Sequence, residues 1–546
     1  MKIIIPMSGY GERFRRVGYK LPKPLINVDG KPIIQYVVEM FSPDDEFVFV
    51  CSKEHLENPD YGMRNLLKTL VPNGKIIAID PHKLGPVNAV MQAKLFIDPL
   101  EPVIVNYCDF TCYWDWQNFK KQAELSGADG IIPAYKGFHP HSLGHTNYAY
   151  MQVNGNRVKD IREKQPFTDE RMQEFASSGT YYFKTGELMI DSFEKIQSRN
   201  LSINGEFYVS LAYKPILDSG LDVRVYPLQH FMQWGTPEDL EEYKWWSATF
   251  RELTKKQTGN KKISRGSLVV PMAGMGSRFS DKGYKVPKPL IKVSADHMVF
   301  QSLADLPQFS SYNFILRENM PGAEDIIIKT TEKFSNASIT IVDQLTMGQA
   351  CSAKLGIEKI KNINEPITIA PCDGTALFDS TKLSELVQES DVVVWGIRGY
   401  PNARKFPQMY GWLQVIGDNV HKVSVKKPLE STLLDPIIIG TFTFKSAEIF
   451  ERLYLNMQMR NATVNGEYYI DTMLEDAISL GMKCTFLEVE AFASWGTPVD
   501  LETFNYWQSC FHKWYAHEYK IDYDSRIDTN NVKILKNSFY VESPKL

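Results

Sequence analysis

Gly9, Gly11, Arg13 and Lys23 are the first residues of this chain whose types and spacing suit phosphate chemistry. In PMSGYGERFRRVGYKLPKPL the two glycines follow a short aliphatic run, the arginine stands two residues on, and the lysine is held between Pro22 and Pro24. Glycines let backbone N–H groups approach phosphate oxygens closely, and a guanidinium adds a fixed fork of donors to the same anion. Two prolines brace the backbone on either side of the lysine, which suits an ammonium that must meet a phosphate at a set position during a reaction. A tight strand-to-helix turn, or a rigid loop into the next strand, would use the same residues. Phe14 stands where a dinucleotide fingerprint needs its third glycine, and no GK[ST] of a P-loop follows.

The arrangement occurs twice. The 23 residues from Pro6 and the 23 from Pro271 share 15 identities, rich in Gly, Arg, Lys and Pro, so a shared packing pattern alone does not account for the match. The second set is Gly274, Gly276, Arg278 and Lys288, again with a phenylalanine, Phe279, at the third-glycine place. Further landmarks recur in the same order: NYCDF at 106–110 with APCDG at 370–374, GTYYFK at 179–184 with GTFTFK at 440–445, GEFYVS at 205–210 with GEYYID at 466–471, and WGTPEDL from Trp234 with WGTPVDL from Trp495. Such self-similarity marks a tandem duplication. It predicts a first domain over 1–250, a polar, basic linker over 251–265, a second domain over 266–510, and an extension over 511–546 with no assignment.

Composition agrees. At 546 residues the chain exceeds one ordinary core. With 43% hydrophobic and 23% charged residues it reads as globular, and a net charge of -4 argues against a nucleic-acid coat. Seven scattered cysteines without a CxxC pair predict a reducing, cytoplasmic location. Pro6 and Gly9 break the N-terminal MKIIIPMSG after three aliphatics, so a first strand and not a signal peptide is expected, and no apolar run approaches 18 residues, so no membrane span is expected.

Stepping along each copy, short aliphatic runs such as KIIIP, EFVFVC, KIIAID and PVIVNYCD alternate with amphipathic stretches. Strands of that kind predict an α/β fold whose largely parallel sheet is buried on both faces, and such sheets bind ligands at the carboxyl ends of their strands. Gly9, Gly11 and Arg13 fall there after IIIP, and Asp109 falls there after VIVNYC.

GxGxR followed by PKPL resembles the signature of the sugar-phosphate nucleotidyltransferases, the nucleotide-sugar pyrophosphorylases, and the later landmarks keep that family's order in both halves. The resemblance implies two Rossmann-like domains with a mixed, mostly parallel, GT-A-like sheet. It implies Mg²⁺-dependent transfer of NMP from an NTP to a phosphorylated small-molecule acceptor, commonly a sugar 1-phosphate, with release of pyrophosphate, as in synthesis of surface polysaccharide precursors. Partners are then the NTP and the acceptor, with no nucleic acid and no membrane; a homo-oligomer is left open.

By the same resemblance Gly9, Gly11, Gly274 and Gly276 hold the triphosphate together with Arg13 and Arg278, and Lys23 and Lys288 stabilise charge on the α-phosphate. Asp109 and Asp373 match the magnesium-binding aspartate, although an aspartate at a strand end also serves as a helix N-cap. Lys164 and Lys426 resemble the lysine that grips the acceptor phosphate; Glu163 precedes the first, but Val425 precedes the second. Glu206 and Glu467 resemble the acid that takes sugar hydroxyls, and read equally as helix-start carboxylates. Gly85 and Gly348 resemble the glycine against which a nucleobase lies, with Asp80 or Gln344 nearby to read base edges; copy one then has Pro86 where copy two keeps GQA.

Two departures from the pattern stand out. Gln233 and Ser494 precede the late WGTP motif where the family often places a second metal-binding aspartate. Copy two also replaces the GKP of NVDGKPIIQ, reading KVSADHMVF. Two rivals stay open: a nucleotide-sugar-dependent glycosyltransferase, which would ordinarily show Asp-x-Asp where this chain has Asp109-Phe110-Thr111 and Asp373-Gly374-Thr375, and a tandem nucleotide sensor or scaffold that binds without turnover.

Overall fold

The computed structural model describes residues 1–255 and 263–546. Helix Pro237–Thr254 runs into the start of the expected linker and strand Ile263–Pro271 begins before its end, while the linker's centre, 256–262, lies outside the described residues. The chain divides into two compact units: residues 1–244 with 540–546, and residues 245–539.

In the first unit, the aliphatic run Lys2–Met7 forms a central strand with Ile3, Ile4 and Ile5 fully buried. It pairs in parallel with Glu46–Ser52 on one side and Val103–Asn106 on the other, and Lys75–Ile79 extends the parallel half. Beyond Val103–Asn106 the sheet turns mixed. Thr180–Phe183 runs antiparallel, Gly130–Tyr135 and Val223–Leu228 pair in parallel, and Arg157–Glu163 and Ala149–Asn154 close the far side as a hairpin. Ten strands make up this sheet, so the alternation legible in residues 1–106 captures its parallel half, and the antiparallel strands supply the rest.

Helix Gly186–Ser198 turns Met189, Phe193 and Ile196 onto the strand residues Ile4, Val103 and Val105 in one core. Each fully buried side chain of this kind contributes about 1.5–3 kcal/mol. Thr185 caps the helix by accepting from the Leu188 N–H at 3.1 Å.

The second unit repeats this topology. Its strands Ala337–Val342, Gln308–Arg317, Ile263–Pro271, Ile367–Ile369, Ile437–Phe444, Val392–Ile397, Cys484–Glu488, Asn419–Val425 and Gly411–Ile416 lie in the order of their counterparts. One long strand, Ile437–Phe444, stands where the first unit has two, Phe175–Ser177 and Thr180–Phe183.

The units and the repeats do not share their boundaries. Residues 245–250, read from the sequence with the first copy, and 251–254, read as the start of the linker, belong to the second unit, where Trp245 meets Tyr400 at 5.0 Å between ring centroids and Phe250 stacks on Phe504 at 5.3 Å. The unassigned extension contains helix Thr529–Phe539, which belongs to the second unit. Its last seven residues belong to the first, where the Pro544 carbonyl accepts from Asn118 Nδ2 at 3.0 Å and the Leu546 N–H donates to Gln122 Oε1 at 3.1 Å.

Candidate active site

In the first unit the chain leaves strand Lys2–Met7 and turns at Gly11, whose φ of 64° is left-handed, into the short helix Glu12–Arg16. Gly9 has no such demand on its backbone, and a Cβ built there would meet nothing within 4 Å. That glycine keeps the floor of a cavity bare. The prolines act as the sequence suggests: Pro22 precedes a single 3₁₀ turn, Lys23–Leu25, with Pro24 inside it and the Leu25 N–H donating to the Pro22 carbonyl at 2.8 Å. The same turn forms at Lys288–Leu290.

This turn aims Lys23 at the end of strand Val103–Asn106. Its Nζ donates to Asp109 Oδ2 at 2.7 Å, both side chains being 23% exposed. Burial disfavours the ammonium, but the Asp109 carboxylate more than offsets that and holds the lysine's pKa above its ordinary value. Lys288 donates to Asp373 in the same way, and its pKa is raised against the same burial. Asp109 does not cap a helix: it leads into strand Phe110–Tyr113, which pairs with His230–Gln233, and its carbonyl accepts from the Trp234 N–H at 2.9 Å. Thr236 then caps the next helix, its Oγ1 accepting from the Asp239 N–H at 3.2 Å and donating to Asp239 Oδ2 at 2.7 Å.

Two cavities open at this rim. The larger, about 580 Å³, is lined by Gly9, Gly11, Lys83, Gly85 and Glu206 among others; the smaller, about 190 Å³, by Tyr148, Glu163, Lys164, Ser177 and Gln233. Arg13, Lys23, Tyr107, Asp109, Tyr208 and Gly235 line both.

Gly85 fixes the wall of the larger cavity. At φ 88° it lies so close to the other side that a Cβ would come within 2.7 Å of the Phe207 N and O atoms, and the Phe207 N–H donates to the Leu84 carbonyl at 3.0 Å. Asp80 is exposed and lies outside the lining, which this stretch of chain joins from His82 and Lys83 onward. Lys83 pairs with Glu12 at 2.8 Å across the mouth. Neither His82 nor Lys83 carries a sequence pattern that would have singled it out.

In the smaller cavity Lys164 stands in left-handed backbone, φ 58°, its N–H donating to the Tyr148 carbonyl at 2.8 Å. A non-glycine residue held there costs about 1–2 kcal/mol. Lys164 Nζ donates to the Tyr208 hydroxyl at 2.5 Å and lies 4.2 Å from that ring's centroid, and the hydroxyl donates in turn to Glu206. The sequence signal for Tyr208 is its counterpart Tyr469 at the matching place of GEYYID. Glu163 is buried and accepts from Ser210 Oγ at 2.6 Å; burial pushes its pKa up to about 6.

The second unit places its counterparts alike. Lys426 has φ 62°, its Nζ lies 5.1 Å from the Tyr469 ring centroid, and Tyr469 donates to Glu467 Oε2 at 2.6 Å. Gly348, φ 117°, comes as close to Tyr468 as Gly85 does to Phe207. Gln344 is exposed.

Comparison with known proteins fits this geometry. Residues 2–212 match the nucleotidyl transferase family. The resemblance read from GxGxR and PKPL is thereby borne out for the first copy. Among curated relatives, the bifunctional protein GlmU of Fervidobacterium nodosum is 24% identical over 212 residues, 38% of this chain and 42% of that one. Mannose-1-phosphate guanyltransferase beta-B of Xenopus laevis is 26% identical over 246 residues, 44% of this chain and 62% of that one. This chain therefore spans less than two thirds of either relative. A solved nucleoside-diphosphate-sugar pyrophosphorylase of Vibrio cholerae RC9 aligns with 44% of this chain and 99% of its own, at 19% identity and a TM-score of 0.37.

Proposed function

We propose that the first unit is a Mg²⁺-dependent nucleotidyltransferase that moves NMP from an NTP onto the phosphate of a sugar 1-phosphate, as a step towards surface polysaccharide precursors. The observation that carries this reading is the meeting of two cavities at Lys23, Arg13 and Asp109. A reaction between two phosphorylated ligands needs one cationic group at the junction of two subsites. The NTP lies in the larger cavity with its triphosphate along Gly9, Gly11 and Arg13, and the acceptor lies in the smaller with its phosphate on Lys164. An acceptor phosphate oxygen attacks the α-phosphorus, the α–β anhydride bond breaks, and pyrophosphate carries the electron pair away. Lys23, kept charged by its pairing with Asp109, stabilises the charge that gathers on the α-phosphate.

The donor set suits Mg²⁺. Among the described residues no cluster of three or more His, Cys, Asp or Glu could hold a metal. Asp109 is one hard carboxylate, and Gly235 has no Cβ to separate it from the Gln233 amide. One carboxylate completed by ligand phosphates and water is how Mg²⁺ is ordinarily bound; the Gln233 atom nearest Gly235 is the amide nitrogen and is no ligand. When bound, the ion would neutralise phosphate charge.

Two facts support a cytoplasmic setting: all seven cysteines are free thiols, and among the described residues no helix is long and apolar enough to cross a membrane. The test is pyrophosphate release by the full chain with Mg²⁺, each NTP in turn, and a panel of sugar 1-phosphates. Turnover that requires both an NTP and an acceptor is expected. Binding of NTP in a calorimeter without turnover for any pair would reject the proposal in favour of a sensor.

A further inference from the structure

The two units differ at three touching positions around the acceptor-side lysine, and the three differences cancel. In the first unit Ala149 pairs across the hairpin with Glu163, and Ser210 donates to the Glu163 carboxylate. In the second, Gly411 pairs with Val425, and Asp471 stands at the place of Ser210. Strand carboxylate and helix hydroxyl have become strand valine and helix carboxylate.

The glycine makes the exchange possible. A Cβ at position 411 would lie 2.2 Å from Asp471 Oδ2, so an alanine like Ala149 would exclude the new carboxylate. Both carboxylates are buried, each 9% exposed, and each lies in the field of the neighbouring lysine, Lys164 or Lys426.

The surroundings show what was not retained. Ser177 and Tyr181, whose hydroxyls are 2.8 Å apart in the first unit, are Ile438 and Phe442 in the second. A polar network kept only to satisfy a core would have gone with them, because ionising a buried carboxylate is costly and an apolar replacement is usually tolerated. The second unit lacks these hydroxyls yet carries a buried acid on another element. It also holds Lys426 in the same costly left-handed backbone as Lys164, where a glycine would sit without strain.

We infer that the buried acid beside the acceptor-side lysine accepts acceptor hydroxyls in both units, Glu163 in the first and Asp471 in the second, and that the second unit thereby holds its own acceptor site for a phosphorylated, hydroxyl-bearing small molecule, with Lys426 on the phosphate. This rests on the acceptor-site reading above. The acid approaches from a different element and on a shorter side chain, so the two sites select different hydroxyl patterns.

The test uses the full chain carrying Lys164→Ala, which silences the first acceptor site, with inorganic phosphate and a panel of sugar 1-phosphates as probes in calorimetry. Binding that persists in this background, is lost in Lys164→Ala/Lys426→Ala, and falls about tenfold or more in Lys164→Ala/Asp471→Asn for the sugar phosphates but not for inorganic phosphate is expected. In the Lys164→Ala background, Gly411→Ala, Val425→Glu and Asp471→Ser together should keep the sugar phosphate affinity that Asp471→Asn loses and shift preference towards the first unit's ligand. Asp471→Asn should keep or raise the unfolding temperature, which guards against misfolding. No binding beyond the first site, or Asp471→Asn affinities within twofold for every sugar phosphate, overturns the inference. Second-site binding in a chain without turnover would reject only the reading of the first unit.

Discussion

Replacing Lys23 by methionine separates the two tasks that the Lys23–Asp109 pair performs. Methionine preserves most of the stem and removes the charge. In the free protein the loss leaves Asp109 without its 2.7 Å partner at a site 23% exposed. Exposed pairs are worth about 0–1 kcal/mol and the loss of one partner of a fully buried pair costs about 3–5 kcal/mol, so a destabilisation of about 1–3 kcal/mol is expected from this intermediate burial. Turnover should suffer separately. A preorganised group facing charge that develops in the transition state contributes about 10²- to 10³-fold to kcat. The assay is pyrophosphate release in a chain that also carries Lys288→Met, so that the second unit does not mask the effect, beside urea unfolding of the same samples. A kcat within threefold of the Lys288→Met parent, whatever the loss of stability, would refute the assignment of Lys23 to the reaction and leave it a structural ion pair.

Two further outcomes follow from the same geometry. Gly85→Ala must open the 2.7 Å approach to Phe207 while adopting a left-handed φ, which together costs about 2–5 kcal/mol and displaces Glu206; NTP affinity should fall by tenfold or more, and an unchanged Kd would show that the loop does not contact nucleotide. Glu163 has its pKa raised by burial from an ordinary 4.5 to about 6, so the unfolded chain ionises it first: its contribution is neutral below pH 4.5, turns unfavourable as pH rises to about 6, and costs about 2 kcal/mol above that. The acceptor's KM should therefore rise as pH drops through about 6, and Glu163→Gln should raise KM at pH 7 and flatten this dependence; an unaltered pH profile in the variant would show that Glu163 does not meet the acceptor.

Local sequence disclosed much of this because the residues concerned are constrained by backbone as well as by chemistry. The proline-flanked lysines could be read as fixed, and they are; the repeated WGTP landmark does the same local work in both copies, Thr236 and Thr497 each accepting from the N–H three residues on. The doubled landmarks exposed a fold built twice. What escaped notice depends on long-range placement. Tyr208 joins Lys164 to Glu206 only because a strand hairpin and a turn 44 residues away converge. Asp80 sits one residue beyond a strand, and the chain joins the cavity lining two residues later, at His82. The mixed character of each sheet came from the family resemblance and not from the runs themselves, since nothing in TYYF or RVKDIRE marks a strand as antiparallel.

Inheritance and cooperative folding are partitioned differently along this polypeptide. A protease that cut between residues 256 and 262 would release a first fragment still holding Trp245 and Phe250, whose rings pack with Tyr400 and Phe504, and a second fragment still holding Pro544 and Leu546, whose backbone bonds Asn118 and Gln122. The nicked halves should co-elute until denaturant is added, and recovering either ancestral monomer would demand re-engineering both of its termini.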